Sequence, residues 1–138
     1  MKTSLPLRTV SGDNSREHFR KKAARAKAHR FAAKWAVNNL YRGNAAVVEI
    51  NSGLLVTLTR VAPKPLDSDG NASGMKHIRD GIADAFGLRD DSDPRITWAY
   101  AQRKGGVRVY AVEIEITARA HCPTCGAAVS ATNNGVNP

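Results

Sequence analysis

Two stretches with the apolar period of a helix are each followed by β-branched runs broken by turn chemistry, and this order restricts the chain to folds in which helices cover a sheet. The first stretch runs from Asn14 to about Arg42, with Ala24, Ala28, Phe31 and Trp35 at steps of four, three and four. Asn14 offers an N-cap, Glu17 can return the bond, and Gly43 stands where the helix would stop. The runs AAVVEI and LLVTLTRV flank Asn51-Ser52-Gly53, which predicts an antiparallel hairpin. Pro63 and Pro65 close that unit and lead into a polar loop, Leu66 to Asn71. Ile78, Ile82 and Phe86 then predict a second helix over residues 72–86, with Gly87 just beyond it. RITWAYAQRK alternates through Ile96, Trp98 and Tyr100. Lys104-Gly105-Gly106 supplies a turn, and VRVYAVEIEI changes register between Val107, Val109, Ala111 and Val112, Ile114, Ile116. The expectation is an α+β fold, a mainly antiparallel or mixed four-stranded sheet with two helices packed on it. Residues 1–120 would form one domain and residues 121–138 a flexible tail.

Charge sets the class of partner. A net charge of +9 on 138 residues draws the chain to polyanions, because each neutralised phosphate releases condensed counterions. Eight of the 21 Lys and Arg lie between residues 16 and 34: Arg16, Arg20, Lys21, Lys22, Arg25, Lys27, Arg30 and Lys34. The first helix is therefore expected to present cations to DNA on the faces away from its apolar stripe. No stretch approaches the roughly 18 apolar residues of a membrane span, and MKTSLPLRTV has no apolar signal core. A cytoplasmic protein without a membrane partner is expected.

Against this positive background, Asp67, Asp69, Asp90, Asp91 and Asp93 fall in two segments flanking the second helix. If the segments converge, three or more carboxylates meet and repel unless a cation joins them, and such oxygen donors suit Mg2+ or Mn2+ in phosphodiester cleavage. The plain alternative is that Asp and Ser here cap helices and close turns. A calcium loop opening at Asp67 fails at its sixth position, Ala72, and its twelfth, Ile78. Lys76, Asp80 and Asp84 share a helix face, where Lys76 could hold a carboxylate or a phosphate, or simply pair with Asp80.

The run LDSDGNASGMKHIRDGIADAFGLRDD, Leu66 to Asp91, resembles the RusA family of Holliday-junction resolvases, particularly the divergent forms carried by bacteriophages. The family pattern is Asp-x-Asp-Asn, a helix with Lys and Asp one turn apart, and an Asp-Asp pair before a strand. Asp67 and Asp69 match the first two carboxylates, Lys76 and Asp80 the helical pair, and Asp91 the second member of Asp90-Asp91. With its flanking strands the resemblance covers about residues 54–116. Gly70-Asn71 and the later position of Lys76 depart from it. It implies a homodimeric, magnesium-dependent endonuclease that nicks opposed strands of a four-way junction. Asp67, Asp69, Asp91 and Lys76 would be catalytic, and Asp67, Asp69, Asp90 and Asp91 would hold the metal.

His121, Cys122 and Cys125 resemble one knuckle of a zinc ribbon, but a structural Zn2+ normally takes four ligands and no second pair is present. The plain expectation there is a reduced tail. His18, His29 and His77 are read as exposed or phosphate-facing, and Trp35 and Trp98 as core residues. The alternative to a nuclease is a non-catalytic nucleic-acid-binding protein whose basic helix does the binding.

Overall fold

A computed structural model of the chain describes residues 2–10, 19–41 and 53–119. Its elements are β1 (Lys2–Leu5), α1 (Phe19–Leu40), β2 (Leu54–Ala62), α2 (Ser68–Gly74), α3 (Lys76–Ala85), β3 (Ile96–Lys104) and β4 (Ala111–Ala118). The sheet order is β1-β4-β2-β3, with β2 and β3 parallel and the other neighbours antiparallel. Among the described residues the fold is thus α+β on a mixed four-stranded sheet, carrying three helices where two were expected. The predicted strand over residues 45–50, the turn residues Asn51 and Ser52, and Asn14, Arg16, Glu17, His18 and Gly43 lie outside the described residues. So do His121, Cys122 and Cys125.

β2 and β4 are the interior strands. Leu54, Val56 and Leu58 alternate with half-buried positions and are shut off from solvent, as a strand covered by helices on one face requires. Val112, Ile114 and Ile116 of β4 present the same face. The sequence register change is thereby explained: Val107 and Val109 are exposed in the loop before β4, and the strand's buried set begins at Val112. Ile78 and Ile82 of α3 are fully buried and Phe86 nearly so, as their spacing predicts. Tyr41 meets Phe86 edge-on at 5.6 Å between ring centres.

Two expectations fail. β3 and β4 are not a hairpin, because β2 lies between them. Alternation tells which face of a strand is buried but not which strand is its neighbour, and the six residues between β3 and β4 can cross the end of β2. Gly105 N–H does so, donating to Ala62 O at 2.9 Å. The second failure is the face of α1. Phe31 and Trp35 are 69% and 59% exposed, while His29, Ala33, Ala36 and Val37 are buried. His29 is accordingly a core histidine, and burial, followed by Arg25 and His77 nearby, lowers its pKa.

The physical reason is the closeness of α1 to α3. A Cβ at Gly81 would stand 2.2 Å from the Arg30 carbonyl oxygen and 2.9 Å from Ala33 Cβ. Only small residues fit that crossing, so α1 turns its alanines inward and its large aromatics outward. The Arg30 guanidinium reinforces the contact with bonds of 2.6 and 2.8 Å to Asp84.

Gly81→Ala is expected to cost about 1–3 kcal/mol in thermal unfolding, as other overpacked sites do. Gly87 has a φ of +72°, and a Cβ there would meet no atom within 4 Å. It should accept Asn almost unchanged, since Asn tolerates that conformation. Tryptophan fluorescence provides a second check. Trp35→Phe should move the emission maximum to shorter wavelength and reduce acrylamide quenching, leaving the half-buried Trp98.

Candidate functional site

Parallel pairing of β2 and β3 sets the link after β2 and the link before β3 at opposite ends of the sheet. The first acidic segment follows β2. Residues 68–71, expected in a polar loop, form the opening of α2 because the Asp67 carboxylate caps it, accepting from Gly70 N at 2.8 Å. Asp69 lies exposed in the first helical turn, where a negative charge suits the helix end. The Gln102 side chain holds both the N–H and the carbonyl of Leu66, at 2.8 and 2.7 Å, and Asn71 Nδ2 donates to Ala101 O at 3.3 Å. This segment is thereby fixed to the C-terminal half of β3.

The second segment precedes β3 but doubles back along α3. Trp98 Nε1 donates to the Asp91 carbonyl at 2.8 Å, Arg79 Nε to Asp91 Oδ2 at 2.8 Å, and Lys76 Nζ to Asp91 Oδ1 at 3.3 Å. Lys76 also donates to Asp80 Oδ1 at 2.8 Å, a bond that raises its pKa. Arg79 Nη1 bonds the Tyr100 hydroxyl. Asp91 thus sits beside the start of α3 and not at its end, and Lys76 reaches the second acidic segment, although sequence order set it nearer the first. Trp98, Tyr100, Ala101 and Gln102 receive these contacts. At about 3.3 Å per residue, Trp98 and Gln102 stand roughly 13 Å apart along the strand.

The remaining carboxylates close turns. Asp90 accepts from Ser92 N at 2.9 Å and from its hydroxyl, which holds its carboxyl below the usual range. Asp93 accepts from Arg95 N at 2.9 Å and pairs with its guanidinium at 3.0 Å.

Among the described residues no group of three or more His, Cys, Asp or Glu is arranged to hold a metal ion. One oxygen of Asp67 is committed to its cap, and both oxygens of Asp91 to cations. The two carboxylates drawn round one cation are Asp80 and Asp91, with the Lys76 ammonium between them. The ligand set expected for Mg2+ from Asp67, Asp69, Asp90 and Asp91 is therefore not assembled in this arrangement. Arg79 and Tyr100 were not anticipated. The available signal was the position of Arg79, one turn after Lys76.

The basic helix carries its cations outward in part. Arg20, Lys21 and Lys27 are exposed, Lys22 and Arg25 are half-buried, and Arg30 is tied to Asp84. Lys27 and Lys34 flank the exposed Phe31 and Trp35 at helical spacing, which makes an aromatic and basic face of the side predicted to be core. No helix among the described residues is long and apolar enough to cross a membrane. The chain matches no protein-family model and no curated protein, so its site is read from its own residues.

The Arg30 bonds hold the Asp84 carboxyl below the usual carboxylate range, against burial acting the other way. A group with a lowered native pKa adds stability that is complete above its unfolded value, 3.8, and is lost as pH falls through the native value. The wild type should accordingly lose more stability than Asp84→Asn on acidification below about pH 4. At pH 7 the variant should be less stable by no more than about 1 kcal/mol, since Arg30 is half exposed.

Proposed function

We propose that the chain is a branched-DNA endonuclease of the RusA type, acting with Mg2+ as a homodimer on four-way junctions. The observation that carries this reading is the meeting of Lys76, Asp80 and Asp91. These are the helical pair and the second-segment aspartate of the family pattern, and Lys76 bonds both carboxylates. Carboxylates beside a lysine and an arginine supply the elements of phosphodiester hydrolysis: oxygen donors for a hard cation, and positive charge for the phosphate under attack. When bound, Mg2+ would lower the pKa of a water and stabilise the leaving oxygen. Asp69, exposed and without a hydrogen bond described for its side chain, is the carboxylate most open to such an ion.

DNA binding in this reading belongs to the outer face of α1. Lys27 and Lys34 suit phosphates, and Phe31 and Trp35 suit bases left unstacked at a branch point. A symmetric dimer would offer two equivalent sites to the approximate two-fold symmetry of a junction.

A second reading, a non-catalytic DNA-binding protein, is favoured by one observation: Asp91 is already neutralised by Lys76 and Arg79. Cleavage of a synthetic four-way junction separates the two. In the nuclease reading, paired nicks require Mg2+, and Asp69→Asn and Asp91→Asn abolish them while junction affinity stays within about threefold or rises, because a repelling carboxylate is gone. Tight junction binding with no nicking in Mg2+ or Mn2+ would support the second reading. In either case Trp35→Ala should weaken junction binding by roughly tenfold, the effect of one lost base stack.

A further inference from the structure

Arg60 stands out chemically, because it is a charged residue in the last third of an interior strand, β2, and only 7% exposed. Its side chain follows Leu54, Val56 and Leu58 on the covered face of β2, so the alternation that builds the core also buries this guanidinium. The described partners are neutral. Nε donates to the Thr9 hydroxyl at 3.2 Å and Nη1 to the Lys64 carbonyl at 2.7 Å. Nη2 makes no hydrogen bond to the described residues. A guanidinium does not deprotonate in a protein, and a buried charge without a counter-charge is unfavourable unless something anionic joins it.

Two cavities of about 300 and 400 Å3 meet at this residue, sharing Arg60, Pro63 and Pro65 in their walls. The larger adds Arg8, Thr9, Lys64 and Tyr110, and the smaller Gln102, Arg103 and Lys104. Among the described residues, no Asp or Glu lines either one. Arg103 is answered outside them by Glu113 at 3.0 Å. Arg8 is held by the face of Tyr110, 4.6 Å from the ring centre, a contact that fixes a cation without neutralising it. Burial, offset in part by Tyr110 and reinforced by Arg8, pulls the Arg60 pKa below its ordinary value. Each volume lies in the range of small-ligand sites, about 300–1,000 Å3.

We propose that Arg60, with Thr9, Arg8, Lys64 and Lys104 around it, forms a binding site for a phosphate group at the junction of the two cavities. Arg60 gives the bond from the buried wall, the Thr9 hydroxyl has a proton to donate, and the three exposed or rim cations supply charge. Phosphate esters and phosphodiesters share this chemistry, so the ligand is either a free nucleotide-sized phosphate ester or a backbone phosphate of nucleic acid. The site is separate from the carboxylates of α3 and stands whether or not the chain cuts DNA.

The test is titration of the isotope-labelled full chain, followed by NMR at constant ionic strength in chloride, with inorganic phosphate, a nucleoside 5′-monophosphate and a dinucleotide phosphodiester in parallel. Saturable movement of the Arg60 Nε–H signal by at least one phosphate probe, weakened about tenfold in Lys64→Gln plus Lys104→Gln, is the expected result. Both substituted residues are exposed, so this variant should fold even if Arg60→Leu does not. Preference for the monophosphate identifies a free ester, and preference for the dinucleotide identifies nucleic-acid backbone. Movement no greater than chloride produces, or equal binding by the double variant, overturns the proposal. Loss of junction cutting in Asp91→Asn with phosphate binding intact would keep the two sites distinct.

Discussion

The parallel pairing of β2 with β3, unbroken from Leu54↔Ile96 to Ala62↔Lys104, governs the rest of the molecule. Parallel neighbours need a crossover, and here the crossover is α2 and α3. It covers one face of the sheet, buries Ile78 and Ile82 in one core with Leu54, Val56 and Leu58, and fixes which ends of the sheet carry the acidic segments. A hairpin of β3 and β4 would have left no such requirement. Because the crossover alone sends the two segments apart, their approach along β3 depends on the second one doubling back, and side-chain bonds from Lys76, Arg79 and Trp98 to Asp91 hold it there.

Much of this was legible in the residues. The α+β class, the strands β2, β3 and β4 and the Ile78, Ile82, Phe86 stripe follow from periodicity, because burial on one face imposes that period directly. Strand neighbours do not follow, since Ile96, Trp98 and Tyr100 would alternate identically beside β2 or β4. β1 leaves almost no signal, because a strand of four residues, Lys2–Leu5, contributes only Leu5 to the core. In the candidate site, Lys76 with Asp80 was legible as an i, i+4 pair. The bond from Lys76 to Asp91 was not, because it depends on a loop path that no local rule specifies.

The face of α1 teaches a different lesson. Both sides of that helix carry a plausible stripe, Ala24, Ala28, Phe31, Trp35 on one and His29, Ala33, Ala36, Val37 on the other. Side-chain size favours the first, but the approach of the Arg30 carbonyl to Gly81 admits only the second. A glycine in the middle of α3 was the available sign that two backbones meet there. Burying alanines at the crossing leaves the rings of Phe31 and Trp35 in solvent, and under the proposed function that face is the one offered to DNA.

The use of carboxylates shapes where the remaining positive charge lies. Asp80, Asp84, Asp91, Asp93 and Glu113 are each paired with a cation of the same chain. In a protein of net charge +9, internal pairing of the acids leaves the surplus cations facing outward, on α1 and around Arg60. It also bears on metal binding under the proposed function. A divalent ion taken up at Asp91 has to compete with Lys76 and Arg79, and any cation it displaces becomes available to phosphate. Ion and DNA would then each favour the binding of the other, since linkage between two ligands is reciprocal.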